Sequence, residues 1–202
     1  MDSRDWDERY SGQELIWTAE PNRFLVTEVS GMQPGRALDL ACGEGRNAVW
    51  LARQGWAVTG VDFSRNGLDK GRALAAHHEV EVDWLLDDVV TFHAPTHAFD
   101  LVVILYLHLV QADFATVLAS TVDALAPGGT LLVVGHDNTN PTDGYGGPQD
   151  PAVLYGPDEI VACIGALVVD KAERVRRPVE TADGPVEAID VLVRAHARGS
   201  QN

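Results

Sequence analysis

The chain has 202 residues, 46% of them hydrophobic and 22% charged, with 30 acidic against 15 basic side chains and a formal net charge of −15. That length suits one α/β domain with a sizeable core. So acidic a surface repels phosphate backbones and anionic lipid, and no apolar run approaches the ~18 residues of a membrane span, so no nucleic-acid or membrane partner is expected.

The polar, acidic start MDSRDWDERY does not have the make-up of a signal peptide. The segment of about 30 residues before the first strand carries Trp6, Tyr10, Trp17 and Phe24, too much aromatic surface for a disordered tail. RALDLA, 36–41, is expected as a buried strand, followed by the turn CGEG and a helix over 46–54 that Gly55 ends. WAVTGVD, 56–62, is the second strand, and Ser64 is placed to cap a helix running to about His77. A third strand lies within 81–88. A fourth, FDLVVILYL over 99–107, is apolar on both faces, as a central parallel strand is.

The helix over 111–126 repeats Phe114, Val117, Leu118, Val122 and Leu125 at three- and four-residue steps. Pro127-Gly128-Gly129 is expected to end it, with a fifth strand over 130–136. A polar segment, 137–156, then leads to a short helix begun at Pro157, and two further strands are expected over 166–176 and 187–197. Strands alternating with helices predict a mostly parallel sheet of seven strands with helices on both faces. Cys42 and Cys163 fall in different elements, with neither a CxxC pair nor metal-ligand spacing, which fits a reducing, cytoplasmic compartment. Cys42 reads as a small buried residue, and the cluster Arg174, Arg176 and Arg177 as a solvated strand end.

The chemistry centres on DLACGEGRN, 39–47. Asp39 lies near the end of a strand, Gly43 and Gly45 let the backbone turn sharply beside a ligand, and a helix N-terminus follows. Asp62 ends the next strand, where a carboxylate accepts ribose hydroxyls. Gly43, Gly45 and Ala48 also fit the dinucleotide fingerprint G-x-G-x-x-A, so an NAD(P)-dependent oxidoreductase is a rival. Against it, there is no Tyr-x-x-x-Lys pair, the only lysines being Lys70 and Lys171. Asp39 would also repel a pyrophosphate, whereas it suits a ligand carrying ammonium and sulfonium charges.

With these motifs in order, residues 36–137 resemble a class I S-adenosylmethionine-dependent methyltransferase. DLACGEGRN is similar to the glycine-rich first motif, VTGVDFS to the second strand, LLDDVVTF to the third, FDLVVILYLHL to the fourth and LAPGGTLLVVGHD to the fifth. The GRN ending, the short length and the WDERY segment resemble the tellurite-resistance (TehB-like) and thiopurine-type small-molecule methyltransferases. Ala41 and Asn47 depart from the family's motif, which has glycines there.

The resemblance implies an α/β, Rossmann-like fold and S-adenosylmethionine as cofactor. By it Asp39, Gly43, Gly45 and Arg46 would face the methionine end. Asp62 would bind the ribose, and Phe63 would flank the adenine. Asp87 or Asp88 would accept from the adenine amino group beside Val89, and Leu105 would lend a carbonyl to the ammonium.

Methyl transfer is an in-line displacement on an activated carbon, so much of the work is positioning and exclusion of water. A hydroxyl acceptor needs a base, and His108 and His136 are the candidates because both follow strands at the crevice. The plainer role of each is a backbone hydrogen bond. No metal is expected, since no histidine spacing matches a ligand set. Residues 1–30 are expected to form a lid, with Trp17 against the cofactor and Tyr10 at the acceptor. The segment 137–156 would form the acceptor wall with Tyr145 and Tyr155, and Tyr106 would line the pocket. The acceptor is a small molecule offering O, N, S or a metalloid, and the protein a monomer or homodimer. A third reading is a non-catalytic S-adenosylmethionine-binding module.

Overall fold

A computed structural model describes residues 3–12, 14–16 and 18–199 of the chain. Two short helices come first, α1 (Ser3–Arg9) and α2 (Arg23–Val29). The expected alternation follows: β1 (Arg36–Leu40), α3 (Arg46–Arg53), β2 (Ala57–Asp62), α4 (Arg65–His77), β3 (Asp83–Leu86), β4 (Phe99–Leu105), α5 (Gln111–Ala124) and β5 (Leu125–His136). The one-turn α6 (Asn140–Asp143), a 3-10 turn at Pro151–Val153 and α7 (Pro157–Cys163) then lead to a hairpin of β6 (Val168–Thr181) and β7 (Gly184–His196).

The seven strands form one sheet in the order β3-β2-β1-β4-β5-β7-β6. The first five in that order run parallel, and β7 enters antiparallel between β5 and β6. Strand order reverses between β1 and β4, and the crevice beyond their carboxyl ends is where such a sheet takes a ligand.

The apolar strands divide their side chains between two core layers. Leu38, Val102, Ile104, Leu131, Val133 and Val193 pack with Phe114, Leu118 and Ile160 from α5 and α7. Ala37, Val58, Leu101, Val103, Leu132 and Leu192 pack with Leu25, Ala48 and Leu51 from α2 and α3 on the opposite face. Each fully buried leucine stabilises the fold by roughly 1.5–3 kcal/mol. The double-sided burial of β4 explains its uninterrupted apolar run. As the Ser64 position predicts, its hydroxyl accepts the Gly67 N–H at the start of α4.

Two boundaries correct the expectation. β5 begins at Leu125 directly after α5, with Pro127-Gly128-Gly129 absorbed into an irregular start: Phe99 pairs with Leu125, and the register shifts before Leu101 pairs with Thr130. The final hairpin is longer than expected because β6 and β7 go on pairing to Thr181 and Gly184, past the last β5 partner, His136 opposite Asp190. That projecting part has little core to face, so its hydrophobic pattern is weak in the sequence. β6 is an open edge, and Pro178 with the flanking arginines discourages addition of another strand.

The segment 137–156 is fastened rather than bare. Asp137, fully buried, accepts the Thr139 N–H, the Thr139 hydroxyl and Arg174 Nε. Asn140 accepts the Ile189 N–H at 2.7 Å and donates to the Gly146 carbonyl.

Candidate active site

β1 ends at the strand-order reversal, and the chain leaves it through Ala41, Gly43 and Gly45, all with positive φ of 58°, 55° and 78°. Only glycine takes this region freely. Ala41 therefore costs the fold about 1–2 kcal/mol where the resembled motif keeps a glycine. The other departure has a use: Asn47 is buried, and its side-chain oxygen accepts the Asn22 N–H at 2.8 Å, holding the start of α2. A Cβ at Gly45 would stand 2.4 Å from the Trp84 ring, and one at Gly43 2.9 Å from the Tyr10 hydroxyl. Both glycines are thus required by close packing, since a side chain at either would meet Trp84 or Tyr10. No side chain caps α3, which starts at this turn.

Asp39 is buried, and its Oδ2 has no hydrogen-bond partner. Burial, helped by the charge of Asp62, pushes its pKa up to about 7. An unpaired buried carboxylate oxygen is costly unless something cationic meets it. Asp62 is also buried. Its two oxygens accept the Gly43 and Ser64 N–H groups, each at 2.8 Å, which ties β2 to the glycine turn and leaves each oxygen a further lone pair. Burial raises its pKa too, against the pull of those amides. Arg46 is half-buried, its pKa lowered by burial, within electrostatic reach of Tyr106, Asp39, Glu44 and Tyr10.

Phe63 is half-buried next to Asp62, and Leu105 is buried at the end of β4. Asp87 and Asp88 are both exposed just beyond β3, each accepting a backbone N–H from the following turn. Val89 is directed into the core.

The N-terminal segment docks on this turn. Asp7 accepts the Ser64 hydroxyl at 2.5 Å and the Asn66 N–H at 3.1 Å. Tyr10 is buried, stacked on Trp6 with ring centroids 5.3 Å apart. Ile16 N–H donates to both Glu44 oxygens at 3.0 Å, and Lys70 bridges Glu44 and the Glu14 carbonyl. An open groove of about 460 Å³ separates residues 10–12 from α4 on the outer flank. Trp17, expected against the cofactor, lies outside the described residues.

Beyond β4 and β5 lies a second constellation. Tyr106 leaves β4 with φ of 60°, a strained conformation of the kind that gathers at functional sites. Asp190 of β7, fully buried, accepts the Tyr106 hydroxyl and Arg177 Nε, each at 2.7 Å. His136 Nδ1 stands 3.2 Å from its other oxygen, off the ideal hydrogen-bond axis. The His108 ring lies nearly parallel to His136, 5.4 Å away, with Nδ1 3.1 Å from the Val153 carbonyl. Burial pushes the pKa of His108 down to about 4, so it is neutral at pH 7.

Tyr106, His108 and His136, expected near the crevice, lie with their rings 5.0–6.4 Å apart, whereas the sequence did not point to Asp190 and Arg177. An acid inside the apolar run AIDVLV was the available signal. Of the arginine cluster, Arg174 and Arg176 are exposed as a solvated strand end implies, but Arg174 pairs with buried Asp137, and half-buried Arg177 pairs with buried Asp190. Tyr145 stands exposed on its loop, two residues before Gly147, which packs against the His136 ring. Tyr155 is core and not acceptor wall: it stacks on Phe114 at 3.9 Å, and its hydroxyl meets the Leu109 backbone.

Residues 37–129 match a family model described as a methyltransferase domain. That segment is similar to a methyltransferase domain. Over 125 residues it is 37% identical to a demethylmenaquinone methyltransferase of Thermus thermophilus, covering 61% of this chain and 55% of that protein. The chain spans about half the length of the curated relatives that it matches. Its fold is similar to TehB of Haemophilus influenzae, with a TM-score of 0.73 at 15% identity over 97% of this chain and 67% of the other. It is also similar to the N-methyltransferase NodS of Bradyrhizobium japonicum, solved with S-adenosyl-L-homocysteine, with a TM-score of 0.70 at 18% identity over 96% and 97% of the two chains. Methyltransferase domains of this class use S-adenosylmethionine as donor. The residues at the glycine turn fit that donor, because the orphaned Asp39 oxygen suits its cationic end.

Proposed function

We propose that the protein is an S-adenosylmethionine-dependent methyltransferase acting on a small-molecule acceptor. The observation that carries this reading is the buried, unpartnered Asp39 oxygen at the strand-order reversal, beside a turn with three left-handed residues. Asp39, Gly43, Gly45 and Arg46 would hold the methionine end and Asp62 the ribose. Phe63, with Asp87 or Asp88, would hold the adenine, and the Leu105 carbonyl the ammonium. The bound donor supplies a methyl carbon activated by sulfonium. The protein orients the acceptor toward it and keeps water out. Residues 1–30 act as the lid and 137–156 as the acceptor wall.

A nicotinamide cofactor is disfavoured, because Asp39 would face its phosphates and both lysines are already engaged, Lys70 with Glu44 and Lys171 with Glu28. The surface charge favours a small acceptor over a nucleic acid, and we place the protein in the cytoplasm as a monomer or homodimer. No helix among the described residues is long and apolar enough to cross a membrane.

The test is a screen of phenols, thiols, amines, halides, tellurite, selenite and a random RNA oligonucleotide, with S-adenosylmethionine present, reading S-adenosylhomocysteine. At least one small molecule is expected to give turnover, and the RNA none. Donor binding with a silent screen would favour the non-catalytic module, and turnover on RNA alone would refute the small-molecule assignment.

A further inference from the structure

We infer that His136 is a general base held by the positioning residue Asp190, and that the methyl acceptor is therefore a hydroxyl compound. The inference rests on the methyltransferase reading. His136 and Asp190 face each other as the last pair of the β5–β7 ladder, which fixes both backbones. His136 Nδ1 is fully buried and turned to Asp190 at 3.2 Å, which leaves Nε2 on the ring's far edge, beside Gly147. Asp190 is itself held by the Tyr106 hydroxyl and Arg177 Nε. Such a carboxylate favours the Nδ1–H tautomer, leaving Nε2 to take a proton, and it stabilises the imidazolium that results. Tyr106 links the pair to the donor turn: its ring is 5.0 Å from that of His136 and within electrostatic reach of Arg46.

This arrangement selects an acceptor. A thiol ionises near neutral pH and attacks without a base. A protonated amine would bring a cation toward Arg177 and Arg46. A hydroxyl is neutral and needs its proton removed. Its oxygen forms the bond to the methyl carbon as the carbon–sulfur bond breaks, the electron pair leaving on sulfur, and the hydroxyl proton passes to His136 Nε2 and then to solvent. The groups facing His136 are Asp190 from β7, Arg177 from β6, and Tyr106 and His108 after β4. Of the two histidines, His108 is the lesser base, because its Nδ1 is committed to the Val153 carbonyl and its Nε2 is buried.

The experiment uses the full chain with Asp190→Asn and His136→Gln, the second leaving the Arg177–Asp190–Tyr106 contacts intact should the first fold poorly. Nitrogen NMR of the imidazoles, with S-adenosylhomocysteine added, should show His136 as the Nδ1–H tautomer. With catechol as probe, kcat should drop at least about tenfold in either variant with KM little changed, while turnover of thiophenol changes less than about twofold. An Nε2–H tautomer in the wild-type protein, or equal losses for catechol and thiophenol, would overturn the inference. Failure of S-adenosylhomocysteine to bind at all, read by calorimetry on the same samples, would strike the methyltransferase reading instead, while the tautomer still judges the dyad.

Discussion

Asp39 carries the sharpest consequence at the scale of single residues. Its carboxyl titrates at about 7 in the folded protein and near its ordinary 3.8 when unfolded. Between those values the folded protein holds a proton that the unfolded chain releases, so this residue makes stability fall as pH rises from about 4 to about 7, then level off. His108 acts oppositely: its folded value of about 4 lies below the ordinary 6.5, so its contribution is present above 6.5 and lost as pH falls. Comparing the wild type with Asp39→Asn cancels the histidine. In urea denaturation without ligand, the variant should gain on the wild type by up to about 1.4 kcal/mol per pH unit across that window. A difference independent of pH would contradict the burial assigned to Asp39. Asp39, Gly43 and Gly45 could be singled out in the sequence because they lie within a few positions of each other on one turn. Asp190 and Tyr106 are 84 positions apart, and only the pairing of β4 with β5 and of β5 with β7 brings them together, so no local pattern announced them.

At the scale of elements, the docked N-terminal segment is the feature most open to test. Its aromatic content predicted docking, and Tyr10 and Asp7 show where it happens: against Gly43 and the start of α4. The same contacts set where a truncation must stop. Asn22 caps α2, accepting the Phe24 and Leu25 N–H groups, and loss of such a cap costs about 1 kcal/mol. Removing residues 1–20 spares it. The proposed lid would exclude water from the crevice, so the truncated protein should keep its circular dichroism and lose at least tenfold in turnover, roughly 1.4 kcal/mol of barrier. A folded truncation with undiminished turnover would refute the lid. Elements with a two-sided or one-sided apolar pattern, such as β4 and α5, were read from sequence almost to their ends. The hairpin was read short, because its projecting half pairs through backbone and charge rather than through a core.

For the whole molecule, the order β3-β2-β1-β4-β5-β7-β6 places the donor turn and the histidine cluster on neighbouring strand ends, one on each side of β4. Alternation in the sequence predicted the parallel sheet, but strand order and the antiparallel entry of β7 depend on long-range pairing. Everything proposed depends on which ligand the crevice between these ends accepts. The direct measurement is calorimetric titration of the purified protein with S-adenosylmethionine and, separately, with NAD. The account predicts binding of the methyl donor, weakened by about 1–3 kcal/mol in Asp62→Ala through loss of hydrogen bonds to a charged acceptor, and no binding of NAD. Tight binding of NAD with none of S-adenosylmethionine would contradict it.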